Sequence, residues 1–231
     1  MCRSTILPCM LPEKLDTSLP AGLSVWRVRL DGALEPAWAL LNGAERGRAE
    51  EFRAPAAQRR YVLARAALRR LLGESLACAP ADVMLRTGRH GKPALAGVQG
   101  LWFNVSHSGD YALIALSSQG PVGVDIERQD ERLSCVEEEA LTACERAAPM
   151  NFFTRWVGKE AVLKAIGVGI GKYLNELSVL ALEQGRYQLA YGRWPWPGFA
   201  AASLPAPPGY AAAIAWISAE KPAAGSSSGP G

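Results

Sequence analysis

The sequence predicts an α+β fold made of two similar halves packed face to face, and three observations predict it. Short segments with the two-residue alternation of strands flank two long stretches with helical periodicity, 56–72 and 152–166. Each half runs in the same order: a strand, a helix ending near glycine, then further strands. The segment Gly109-Asp110-Tyr111-Ala112-Leu113-Ile114-Ala115 also resembles Gly209-Tyr210-Ala211-Ala212-Ala213-Ile214-Ala215. The halves are placed at 23–119 and 120–220. A lead-in over 1–22 precedes them, and a Pro/Ala/Gly/Ser tail over 221–231, of disordered composition, follows.

The elements follow in order. Residues 1–22 lack periodicity and carry Pro8, Pro12 and Pro20. Residues 23–30 alternate well enough for a strand, and 36–41 suit a short helix. Over 56–72, Tyr61, Leu63, Ala64, Ala67, Leu68, Leu71 and Leu72 form an apolar side, with Gly73 as the expected stop. A strand is expected at 83–87 and a turn at Gly91-Lys92-Pro93. Residues 101–105 and 111–116 read as an antiparallel pair around Ser106-His107-Ser108-Gly109-Asp110, which has turn composition. The second half opens at Pro121 with a strand over 122–127, then the 152–166 helix. Apolar segments follow at 177–182, 187–191 and 210–217.

Composition narrows the function classes. The chain has 231 residues, 49% of them hydrophobic, enough to bury a substantial core. A net charge of +3 names no partner, and no basic stripe with aromatic support points to nucleic acid. Charge is uneven locally: residues 46–70 hold eight arginines, whereas 130–145 is acidic. That pattern fits a site for a polyanion plus a cation, and equally two solvated helix faces. The five cysteines (Cys2, Cys9, Cys78, Cys135 and Cys144) show no metal-binding spacing, which predicts reduced thiols in a cytoplasmic protein. No leader and no long apolar run is present, so neither secretion nor membrane spanning is expected.

Chemistry concentrates in two acidic motifs. In Gly123-Val124-Asp125-Ile126-Glu127, strand parity puts Asp125 and Glu127 on one face. In Trp156-Val157-Gly158-Lys159-Glu160-Ala161-Val162-Leu163-Lys164, helical spacing puts Trp156, Glu160 and Lys164 along one side. Carboxylates on two rigid elements, with a lysine one turn beyond the third, suit Mg²⁺, which completes its shell with phosphate oxygens and water. Taken singly, Asp125 and Glu127 also fit an edge strand paired with Arg128, and Glu160–Lys164 an ordinary surface pair. Three further elements stand upstream: Asn104-Val105-Ser106-His107-Ser108, Gly91-Lys92-Pro93 and Arg59-Arg60. Serine hydroxyls, a histidine ring and arginine forks all suit an anion. The residues alone leave open another metal-dependent enzyme acting on phosphate esters, or a non-catalytic binding module.

The ordered set FNVSHSGDYALIAL, PVGVDIE and FFTRWVGKEAVLKAIGVGI resembles the 4′-phosphopantetheinyl transferases, specifically their long pseudodimeric, surfactin-synthetase-activating type. That family carries G-[VI]-D-x-E followed by [FW]-x-x-K-E-[AS]-x-x-K, found here at 123–127 and 156–164, with GKP and N-x-SHS upstream. The likeness runs clearly from Arg53 to Ile170. It implies two α+β halves with the active site at their interface. It also implies Mg²⁺-dependent transfer of the 4′-phosphopantetheine arm of coenzyme A to a serine of an apo acyl or peptidyl carrier protein, releasing 3′,5′-ADP. Such carriers serve fatty acid, polyketide and nonribosomal peptide synthesis. Carried over by position, Asp125, Glu127 and Glu160 bind the metal. Glu160 is also the candidate general base, acting directly or through water. Lys159 and Lys164 pair with phosphate oxygens, and Lys92, Ser106, His107 and Arg60 hold the 3′-phosphate and adenosine, with Arg59 and Arg60 not separated by register. The resemblance implies that protonated His107 strengthens cofactor binding. One chain supplies both halves, so a monomer is expected. Residues 128–150 are expected to border the carrier-docking face. The chain departs from the family at Gly158, where a polar or basic residue is common; a glycine inside a helix costs about 1 kcal/mol relative to alanine.

Overall fold

The computed structural model describes residues 11–88, 91–130, 140–169, 173–191 and 198–218. Several expectations lie outside them: Cys2, Cys9 and Cys135, most of the acidic stretch after Asp130, Ile170 and Gly171, and the 221–231 tail. In chain order the elements are β1 (Glu13–Lys14), β2 (Leu23–Arg29), α1 (Leu34–Leu40), α2 (Gly43–Glu50) and α3 (Pro55–Leu76). Next come β3 (Leu85–Thr87), β4 (Pro93–Leu95), β5 (Trp102–Ser108) and β6 (Tyr111–Ser117). The second half holds β7 (Val122–Arg128), α4 (Ala143–Arg146), α5 (Phe152–Ile166), β8 (Leu177–Ala181), β9 (Arg186–Tyr191), β10 (Phe199–Ser203) and β11 (Tyr210–Ile217).

Among the described residues two antiparallel sheets form, ordered β1-β2-β6-β5 and β7-β11-β10-β9-β8, beside a small β3–β4 hairpin. The halves share one topology. In each, the opening strand (β2, β7) pairs antiparallel with the closing strand (β6, β11). The closing strand pairs on its other edge with the strand before it (β5, β10). The two segments that resemble each other in sequence are therefore the equivalent inner strands.

Strand alternation builds the layers. On β6, Ala112, Ile114 and Leu116 pack with α3, while Leu113 and Ala115 face the other way. On β11, Ala211, Ala213 and Ala215 pack with α5, while Ala212, Ile214 and Trp216 face the other way. The opposed faces meet Val25 of β2 and Val122, Val124 and Ile126 of β7 in one apolar core. The order is thus helix, sheet, sheet, helix. Strands buried on both faces lose the polar alternation of a half-exposed strand, which explains the nearly continuous apolar runs of β6 and β11.

Some elements differ from expectation. α3 passes Gly73 and ends at Leu76, with Ala77 in the left-handed conformation. Gly73 marks a close approach instead: a Cβ there would lie 2.9 Å from the Cys78 carbonyl oxygen. β5 runs on to Ser108, because its hairpin turn needs only Gly109 and Asp110. α2 has too polar a sequence to predict. It forms through a capping box between Asn42 and Glu45, and the buried Arg69 Nε holds the Glu45 carboxylate at 2.5 Å. The alanine-rich β10 also lacks a strand signal. Cys78 and Cys144 are exposed free thiols. Among the described residues no helix is long and apolar enough to cross a membrane.

Candidate active site

The site forms where β7, the edge of the second sheet, meets β5 of the first and α5 behind it. Val122, Val124 and Ile126 face the inter-sheet core, so Asp125 and Glu127 are turned toward α5. The helix lies unusually close. A Cβ on Gly123 would sit 2.0 Å from the Ala161 carbonyl oxygen and 2.4 Å from the Ala165 nitrogen. Glycine at the head of the acidic strand thus lets the helix backbone rest on the strand backbone. Gly158 lies on the same side of α5 as Ala161 and Ala165, farther along the same sheet, where a Cβ would press on Val179 at 3.0 Å and on the Tyr187 ring at 3.1 Å. The departure from the family pattern therefore packs the helix tightly. Asn151 caps α5 at its N-terminus and Gly167 closes it.

This packing brings Glu160 and Lys164 to Asp125. The Lys164 ammonium lies 2.5 Å from Asp125 Oδ1 and 3.4 Å from Glu160 Oε2, and it donates to Ser106 Oγ at 3.0 Å. Ser106 in turn donates to Asp125 Oδ1 at 2.6 Å. Ser108 donates to Glu127 Oε2 at 2.7 Å and accepts from the Arg128 N–H at 3.1 Å. Asn104 Oδ1 accepts from the Val124 N–H at 2.9 Å. Three alternate residues of β5 thus stitch the two halves along the acidic strand.

Electrostatics follow from crowding. Burial first, then the neighbouring Asp125 and Glu127 charges, push Glu160 up to about 7 against the pull of Lys164. Burial and Asp125 also raise Glu127, opposed by the Ser108 hydrogen bond and Lys164. Burial works against the Lys164 ammonium, yet Asp125 and Glu160 hold it above the usual lysine value. His107 lies on the other face of β5 from Ser106. Its ring is solvent-accessible, but partial desolvation and the cations Arg60, Lys164 and Arg65 hold it below 6.5.

Other expected site residues are disposed unequally. Arg60 lies near enough to His107 to lower its pKa, whereas Arg59 donates to the carbonyls of Leu30 and Gly32, tying α3 to the end of β2. Lys92 reaches across the halves and donates to the Lys164 carbonyl at 2.5 Å and the Val122 carbonyl at 3.3 Å. Desolvation and Lys164 lower its pKa to about 8. Beside it a cavity of about 320 Å³ is lined by both halves, including Arg86, Pro93, Trp102, Val122 and Ile166. Lys159 is not brought to the cluster. It is buried on another face of α5, 2.6 Å from Glu145 Oε2, and donates to the Ala140 and Leu174 carbonyls. Adjacent helical residues point about 100° apart, and here that turn carries Lys159 to Glu145 while Glu160 faces Lys164 and Asp125. In sequence, Asn104 and Ser108 stand within a turn motif rather than as partners of the acidic strand, and Glu145 carries no assigned role. For Asn104 and Ser108 the signal was the parity of N-x-S-x-S, which a strand turns to one side.

The donors suit a hard cation. Asp125 Oδ2 is buried with no hydrogen-bond partner, and the carboxylates crowd one another. Among the described residues no three His, Cys, Asp or Glu side chains close into a metal cage. Mg²⁺ does not require one, since it typically takes one or two carboxylates and fills its shell with substrate phosphate and water.

The chain is similar in sequence to known proteins. Residues 26–119 match the family model described as 4′-phosphopantetheinyl transferase, N-terminal, and residues 121–215 match that of the 4′-phosphopantetheinyl transferase superfamily. The chain is 33% identical to the 4′-phosphopantetheinyl transferase HetI of Nostoc over 208 residues, which cover 82% of this chain and 86% of the relative. It is 34% identical to the slr0495 protein of Synechocystis over 174 residues, 66% and 68% of the two chains. It is 30% identical to the 4′-phosphopantetheinyl transferase psf-1 of Bacillus pumilus over 154 residues, 63% and 66% of the two.

Proposed function

Because the chain belongs to the 4′-phosphopantetheinyl transferase superfamily, in its long two-domain form, we propose that it transfers the 4′-phosphopantetheine arm of coenzyme A to a serine of an apo acyl or peptidyl carrier protein, with Mg²⁺ and release of 3′,5′-ADP. The observation that carries this reading is the cluster of Asp125, Glu127, Glu160 and Lys164, assembled on β7 and α5 at the seam between the halves.

In this reading the carrier serine oxygen forms a bond to the phosphorus that bears the pantetheine arm. The bond from that phosphorus to the bridging pyrophosphate oxygen breaks, and the electron pair leaves on 3′,5′-ADP. Asp125, Glu127 and Glu160 would hold the cation, which would neutralise charge at the pyrophosphate. Lys164, kept protonated by its carboxylates, is placed to pair with a phosphate oxygen. Glu160, which burial and the Asp125 charge raise to about 7 before the cation binds, is the candidate to take the serine proton directly or through water. Arg60 and His107 face the 3′-phosphate, and the cavity beside Lys92 offers room for the nucleotide. Lys159 has no part in phosphate binding.

The test is the intact mass of an apo acyl carrier protein and an apo peptidyl carrier protein, each incubated with the enzyme, coenzyme A and Mg²⁺. A gain of one phosphopantetheinyl group, absent with Asp125→Ala, supports the proposal. Failure to bind coenzyme A at all refutes it.

A further inference from the structure

Ser106 and Ser108 belong to the first half, yet their hydroxyls end on carboxylates of the second. The Ser108 hydroxyl is engaged both as donor and as acceptor. Its proton goes to Glu127 Oε2 at 2.7 Å, and its oxygen accepts the Arg128 N–H at 3.1 Å. Such a hydroxyl has one orientation, and it fixes the carboxylate it serves. Ser106 does the same for Asp125 Oδ1 at 2.6 Å while receiving the Lys164 ammonium. In both carboxylates the hydroxyl engages one oxygen. For Asp125 the other oxygen, Oδ2, is buried and without a partner.

We propose that Ser108 is a positioning residue, orienting Glu127 of the opposite half for the cation that the proposed reaction requires. Partners that orient metal-binding side chains typically govern metal affinity by 10- to 100-fold. The inference rests on the Mg²⁺ reading above, and it separates Ser108 from a phosphate-contacting role. A phosphate ligand would act on coenzyme A itself; a positioning hydroxyl acts on the cation.

The experiment compares the whole protein with Ser108→Ala and Ser108→Thr. Mn²⁺ binding is followed by electron paramagnetic resonance of the free ion, and coenzyme A binding by calorimetry without metal. Urea midpoints check that each variant folds. The expected result is a Mn²⁺ affinity lowered about 10-fold or more in Ser108→Ala. Ser108→Thr, which keeps the hydroxyl, should stay near wild type, and metal-free coenzyme A affinity should be unchanged in both. An unchanged Mn²⁺ isotherm in folded Ser108→Ala overturns the inference while leaving transferase activity standing. So does an equal loss of metal-free coenzyme A affinity. Absence of Mn²⁺ binding by the wild type overturns the Mg²⁺ reading and this inference together.

Discussion

Glu160 sets the pH behaviour at the scale of single residues. Its folded-state value of about 7 stands above the ordinary 4.5, so the folded state prefers the neutral acid. The stability it contributes is therefore full below about 4.5 and is lost as pH rises through 7. The shift corresponds to roughly 3 kcal/mol at about 1.4 kcal/mol per pH unit. Glu160→Gln should leave metal-free stability nearly unchanged at pH 4 and raise it by up to about 3 kcal/mol at pH 8, read as urea midpoints. The same variant should lose about 100-fold or more in kcat/KM. A gain in stability with a loss of activity is the signature of a carboxylate kept for chemistry. Lys159 should show the reverse. Removing it strands the buried Glu145, so Lys159→Met should cost about 3–5 kcal/mol in urea unfolding. Adding Glu145→Gln should recover part of that loss, and KM for coenzyme A should not move in the folded fraction.

Contact between two elements decides the site geometry. α5 reaches β7 because Gly123 has no side chain, and its register on that strand carries Glu160 and Lys164 to Asp125. Gly123→Ala puts a methyl into the Ala161 and Ala165 backbone, which cannot move without the whole helix. We expect a stability loss of about 1–3 kcal/mol. The loss in kcat should be larger in proportion, on the order of 100-fold, because displacement of about 1 Å misplaces catalytic groups. Circular dichroism melts and steady-state kinetics on the same samples separate the two effects. Wild-type kcat in Gly123→Ala would show that the close approach is not needed for catalysis.

The whole molecule joins its halves through one core and one polar seam. Ile214 is fully buried where the two sheets face each other, in contact with residues of both halves. Ile214→Ala should cost about 2–5 kcal/mol. Unfolding should remain a single transition, coincident by near- and far-ultraviolet circular dichroism. Two separated transitions, one at the wild-type midpoint, would mean that the halves fold independently. Beside that core, Asn104, Ser106, Ser108 and Lys92 cross from the first half to the second by hydrogen bonds, with no backbone ladder between β5 and β7.

The sequence by itself determined what is local and periodic. Alternation placed β7 and put Asp125 and Glu127 on one face, while short apolar runs marked β6 and β11. The helical repeat put Glu160 one turn from Lys164. The likeness of the 109–115 and 209–215 segments disclosed a duplication that the shared strand order bears out. The joint motif identified the family. Tertiary structure alone decided which groups meet. Arg59 and Arg60 differ by one helical step, yet one caps carbonyls and the other faces His107. Lys159 sits beside Glu160 in sequence, yet it is buried against Glu145. Ser106 and Ser108 look like a turn until β5 extends through them and turns both onto carboxylates of β7. The physical reason is range. A repeat of two or 3.6 residues is a property of one element. The partner of a side chain is chosen by how elements far apart in sequence pack, through contacts that no local pattern encodes.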